Sequence, residues 1–97
     1  METLQELREQ LDSIDSQIVE LYEKRMDVCE KVGEYKIATG KPVLDAKRES
    51  EKLQCVQQLA SQERNKEGIC ELFQLLMTAS RKLQQQMINE AENNRGD

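Results

Sequence analysis

Residues 4–35 read LQELREQLDSIDSQIVELYEKRMDVCEKVGEY, and within them Leu4, Leu7, Leu11, Ile14, Ile18, Leu21, Arg25, Val28, Val32 and Tyr35 recur at alternating spacings of three and four. That rhythm is a heptad seam, the mark of a long helix that buries one stripe against other helices. Only one member of the seam is charged. Arg25 stands where the pattern calls for an apolar side chain, and a guanidinium facing a helical core is costly unless an anion meets it. Either the protein supplies that anion or a ligand does.

Composition narrows the setting. The chain has 97 residues, 37% of them hydrophobic and 34% charged, with three aromatic residues and one proline. This describes one small domain, poor in β-sandwich or barrel material, whose lone chain buries a modest core. An elongated all-α protein that completes its core by oligomerising fits best. No run approaches the ~18–20 apolar residues of a membrane span, and no basic-then-apolar leader opens the sequence, so a soluble, cytoplasmic chain is expected. A net charge of −5 disfavours nucleic acid as a partner. Cys29, Cys55 and Cys70 are odd in number and outside any CxxC pattern, which predicts small buried side chains rather than disulfides or a metal site. The chain has no histidine. A Ser-His-Asp triad, an HExxH site or a histidine general base is thereby excluded, and any enzymatic chemistry should need little proton transfer.

The residues divide into three helices within a single domain, residues 1–97. The first is expected over about 3–38, with Gly33 inside it at a cost of ~1 kcal/mol relative to alanine. Thr39-Gly40-Lys41-Pro42 is the clear turn signal. Asp45 can cap a second helix over about 45–62. A polar loop through Arg64, Asn65 and Lys66 leads to a third helix over about 67–90, and residues 91–97 read as a frayed tail.

At ~100° per residue, Arg25, Cys29, Val32 and Lys36 share one stripe of the first helix. Glu49 shares a stripe with Leu53, Val56 and Ala60, and Phe73, Leu76, Ser80, Gln84 and Met87 form a third. Every helix thus brings polar groups to its core-facing side. Arg8, seventeen residues before Arg25, points roughly 100° away and does not serve the same pocket within one straight helix. One reading is an internal network, with Arg25 and Lys36 paired to Glu49 or Asp45 and Ser80 bonded to Gln84. The other is a polar small-molecule cavity between facing helices.

Arg8, the Arg25-x10-Lys36 pair with Gly33 between, the Pro42-Val43-x-Asp45-x-x-Arg48-Glu49 run and Phe73-Gln74-x6-Ser80-x3-Gln84 occur in the order seen in a known family. Over residues 4–88 the chain resembles the AroQ-type, all-helical chorismate mutases. The resemblance implies an intertwined homodimer with three helices per chain, the long first helix crossing between subunits. It implies conversion of chorismate to prephenate, the branch step of the shikimate pathway toward phenylalanine and tyrosine, with neither cofactor nor metal. It further implies a pocket lined by Arg25, Lys36, Asp45, Arg48, Glu49, Ser80 and Gln84 of one subunit, with Arg8 entering from the other. Chorismate carries two carboxylates, which suit the forked donors of Arg25 and Arg8. Lys36 and Gln84 are then the donors for the ether oxygen, Glu49 the acceptor for the ring hydroxyl, and Ser80 a contact to a carboxylate or its neighbour. Asp45 and Arg48 are supporting contacts, Asp45 also as a helix cap and Arg48 as a pocket cation or a brace for Glu49. Isochorismate pyruvate-lyase and aminodeoxychorismate mutase share this scaffold, and a helical ligand-sensing or interaction domain is the non-catalytic alternative.

Overall fold

A computed structural model describes residues 1–95. It contains three α-helices, α1 (Leu4–Thr39), α2 (Ala46–Leu59) and α3 (Lys66–Arg95), with a single 3-10 turn at Glu63–Asn65 leading into α3. Each boundary has a local cause. Thr3 accepts a hydrogen bond from the Glu6 amide at 3.2 Å, capping the N-terminus of α1. At the other end Gly40 adopts a left-handed conformation, φ 72°, which glycine tolerates without a Cβ clash, and its amide donates to the Lys36 carbonyl. Asp45 accepts from the Arg48 amide at 3.0 Å and so starts α2 at Ala46.

Two expected boundaries shift. α2 ends at Leu59 rather than near 62, with Ala60 in an extended conformation. The apolar stripe of α2 stops at Ala60, and the next positions on that face, Glu63 and Arg64, offer nothing to bury. α3 continues through Arg95, so residues 91–95 of the expected frayed tail are helical; residues 96–97 lie outside the described residues. Ile88 and Ala91 lie beside Ile37 and Lys41 near the end of α1, and this packing carries α3 past 90. The cysteines also depart from expectation. All three are free, but Cys55 is exposed and Cys29 and Cys70 are only half-buried, because a lone chain of this shape has little interior.

Among the described residues, α1 and α2 both pack on α3 rather than on each other. α3 runs alongside α1 in the same direction. Leu72, Phe73 and Leu76 lie near Ile18, Leu21 and Tyr22; Ser80 meets Arg25 and Cys29; Gln84 meets Cys29 and Lys36. None of these meeting points lies before Ile18, and every residue from 1 to 24 is exposed. The molecule measures 65 × 27 × 15 Å, with a radius of gyration of 17.6 Å, against about 12.5 Å for a compact chain of this length. Its buried apolar side chains are Val56 and Met77, joined by the polar Gln84. All nine apolar members of the α1 seam are exposed, Leu21 at 64% and Ile14 at 51%. Among the described residues no helix is both long and apolar enough to cross a membrane.

Gly33, the one buried residue of α1, marks the closest passage of α3. A Cβ there would stand 2.8 Å from Met87 Sδ and 3.2 Å from Gln84 Cγ. Gly33→Ala should change stability by less than ~1 kcal/mol, since a gain of about that size in helix propensity is offset by displacing the flexible Met87 and by crowding Gln84 Cγ, which its hydrogen bonds hold in place. Gly33→Val should lower stability by about 1–3 kcal/mol through overpacking. Urea unfolding followed by circular dichroism checks both; equal stability for Gly33→Val would mean the two helices are not held at this point.

Candidate active site

The register of α3 on α1 assembles polar side chains around a partly open cavity of about 600 Å³, a size suited to a small metabolite. Seven of the eight residues singled out from the sequence line it: Arg25, Lys36, Asp45, Arg48, Glu49, Ser80 and Gln84. Arg8 does not. It lies on the exposed N-terminal half of α1, on the order of 25 Å from Arg25 along the helix.

Arg25 Nη1 donates to Ser80 Oγ at 2.9 Å and lies 3.7 Å from Cys29 Sγ. The Ser80 hydroxyl donates to the Leu76 carbonyl at 3.0 Å, so in its 3.0 Å contact with Cys29 the thiol is the donor. Ser80 is thus fully engaged in holding Arg25. Among the described residues the rest of the Arg25 fork has no partner. Neither Arg25 nor Lys36 forms an ion pair there; the described salt bridges are Lys66–Glu63 and Arg81–Glu49.

Lys36 Nζ donates to the Val43 carbonyl at 2.8 Å and to Gln84 Oε1 at 3.1 Å. The Gln84 amide in turn donates from Nε2 to the Cys29 carbonyl at 3.0 Å. An ammonium has three N–H groups and an amide two. After these bonds each of the two side chains keeps one proton free. Gln84 is only 4% exposed, so its orientation is fixed by packing as well as by bonding.

The internal network considered from the sequence is therefore not what forms. Asp45 caps α2, Glu49 accepts from Arg81 Nη1, and Ser80 and Gln84 bond to other partners than each other. Arg48, exposed at the cavity edge, is not the brace for Glu49; Arg81 is. Sequence reading passed over Arg81, although it lies three residues before Gln84 and so on the same face of α3. Lys24, Arg25, Lys36, Arg48, Lys52 and Arg81 line the cavity against the carboxylates of Asp45 and Glu49. That is six positive groups against two negative, on a chain whose net charge is −5. Local charge inversion of this kind draws in anions.

The match to known proteins agrees with this geometry. Residues 7–85 match the family model for chorismate mutase type II. A chorismate mutase of Methanocaldococcus jannaschii is 31% identical over 94 residues, covering 96% of this chain and 95% of that protein. The T-protein of Haemophilus influenzae is 37% identical over 54 residues, 56% of this chain and 14% of its own length. The chain belongs to the chorismate mutase type II family and is an isomerase.

Proposed function

We propose that the cavity between the three helices is where this chorismate mutase binds chorismate and rearranges it to prephenate. The observation that carries the reading is the state of Arg25 and Lys36. Both line the cavity without a carboxylate partner among the described residues, while the two neighbouring carboxylates are committed to a helix cap and to Arg81. A dianionic substrate supplies what they lack.

In the Claisen rearrangement the ether C–O bond breaks as a C–C bond forms between the enolpyruvyl methylene and the ring carbon bearing the carboxylate. No proton must move, which accords with a chain that has no histidine. Arg25, held by Ser80, grips one carboxylate. As a direct donor to substrate, Ser80 would have to release the Leu76 carbonyl. Lys36 and Gln84, each with one free N–H, meet the oxygen on which negative charge grows. A preorganised donor of this sort contributes ~2.7–4 kcal/mol. Two of them, with the orientation of both carboxylates, reach the ~8 kcal/mol at the low end of enzymatic rate enhancement. Glu49 accepts from the ring hydroxyl, and Asp45 and Arg48 support the α2 side.

The second carboxylate is assigned to Arg8 of the partner subunit. Support comes from α1 itself, which is exposed from Leu4 through Lys24 and at all nine apolar members of its seam. A second copy laid along that stripe would bury it and bring Arg8 toward the other chain's cavity. The chain then works as an intertwined homodimer, in the cytoplasm, at the branch toward phenylalanine and tyrosine.

Loss of the ultraviolet absorbance of chorismate on adding the purified chain, with prephenate as product, is the direct test; an inert, folded dimer would refute the reading. Lys36→Ala should lower kcat by about 10²–10³-fold with a smaller change in KM, since its charge acts mainly in the transition state. Gln84→Ala should act in the same direction but less, its donor being neutral. Steady-state kinetics distinguishes these from simple loss of binding.

Arg8→Ala and Arg25→Ala should each nearly abolish activity. Refolded together, the two inactive variants place both lesions in one pocket of a mixed dimer and leave the other intact. Random reassortment makes half the dimers mixed, each with one good site of two, so roughly a quarter of wild-type activity should return. No recovery after verified chain exchange would reject the shared site.

A further inference from the structure

Glu49 on α2 and Arg81 on α3 meet at the cavity wall, where Arg81 Nη1 donates to Glu49 Oε1 and Arg81 Nη2 donates to Thr78 Oγ1 at 3.3 Å. The pair is partly exposed, Arg81 at 34% and Glu49 at 23%, and ion pairs this open to solvent add little stability. Its consequence is directional. With Oε1 held, Glu49 Oε2 has no partner among the described residues. Every side-chain nitrogen or oxygen sealed from solvent there has one, so Oε2 is open. The guanidinium also offsets a carboxylate that a dianionic substrate would otherwise approach against Coulomb repulsion.

We propose that Arg81 is a positioning residue that fixes Glu49 with one oxygen engaged and one left to accept from the substrate's ring hydroxyl, and so sets the preference for a hydroxylated ring. This rests on the reading of Glu49 as the hydroxyl acceptor. A site built to bond a hydroxyl discriminates strongly against analogues lacking it, because the acceptor is otherwise left unpaired. The fork matters because Nη1 on Glu49 and Nη2 on Thr78 are held at the fixed spacing of one planar group, an orientation that the point-like ammonium of lysine does not impose.

The test is steady-state kinetics on the intact dimer for wild type, Arg81→Met, Arg81→Lys, Glu49→Gln and the Glu49→Gln/Arg81→Met double variant, with helicity checked by circular dichroism. Arg81→Met should raise KM about tenfold or more while kcat falls far less, the pattern of a weakened bond to a charged acceptor. Arg81→Lys should fall between it and wild type. In the Glu49→Gln background, Arg81→Met should change KM less than twofold, since the group it positions has already lost its charge. A purely structural role would instead lower the active fraction, and with it kcat, at constant KM, and would overturn the proposal. Independent, additive losses in the double variant would mean that Arg81 touches substrate directly and would also overturn it. Wild-type behaviour of Arg81→Lys would reduce the role to bare charge and defeat the fork, including in the event that Arg81→Met fails to fold. Wild-type KM for Glu49→Gln would remove the reading of Glu49 itself, whereas a raised KM for Glu49→Gln beside an unaltered Arg81→Met would reject only the proposal about Arg81.

Discussion

The passage of α3 over Gly33 sets the register on which the rest of the structure depends. With no Cβ at Gly33, Gln84 and Met87 settle against the backbone of α1. From there Gln84 reaches both the Cys29 carbonyl and Lys36. Ser80, one turn earlier, meets Arg25. A shift of one residue along α3 would rotate these side chains by about 100° and separate every pair. The polar bonds and the helix contact therefore specify one another, and the buried glutamine makes the register a condition of satisfying its amide.

That register leaves an electrostatic imbalance. Burial of a guanidinium or an ammonium among helices is usually compensated by a carboxylate. Here the carboxylates within reach are committed elsewhere, to the start of α2 and to Arg81. The cationic groups are instead held by neutral partners, namely a hydroxyl, a thiol, a backbone carbonyl and an amide oxygen. Neutral partners orient a cation without cancelling its charge. A cavity so lined is preorganised for anions, and its donors need little rearrangement when a substrate's charge redistributes.

The same economy of packing explains the shape. One side of α3 binds α1 and another binds α2, but the N-terminal half of α1 extends past both with its apolar stripe in water. A helix of 36 residues cannot bury a continuous seam against a 30-residue neighbour that joins it only from Ile18 onward. The seam that gives the chain its length is thus also an extended apolar surface without a partner among the described residues.

The sequence by itself determined the helices, their starts at Thr3 and Asp45, the turn at Gly40, and the stripes that carry Arg25, Lys36, Ser80 and Gln84 toward one another. These follow from periodicity and capping, which act over a few residues and are legible in order along the chain. It also marked Arg8 as pointing away from that cluster. Tertiary structure alone decided who bonds to whom. Arg25 took Ser80 rather than a carboxylate, Asp45 stayed with its own helix, and Glu49 turned to Arg81, 32 residues away. It decided, too, that α2 stops at Leu59 and α3 continues to Arg95. Such choices depend on the distance and angle between helices, which no single helix encodes. A polar side chain at a helix interface has several partners within its reach, and only the packed arrangement selects among them.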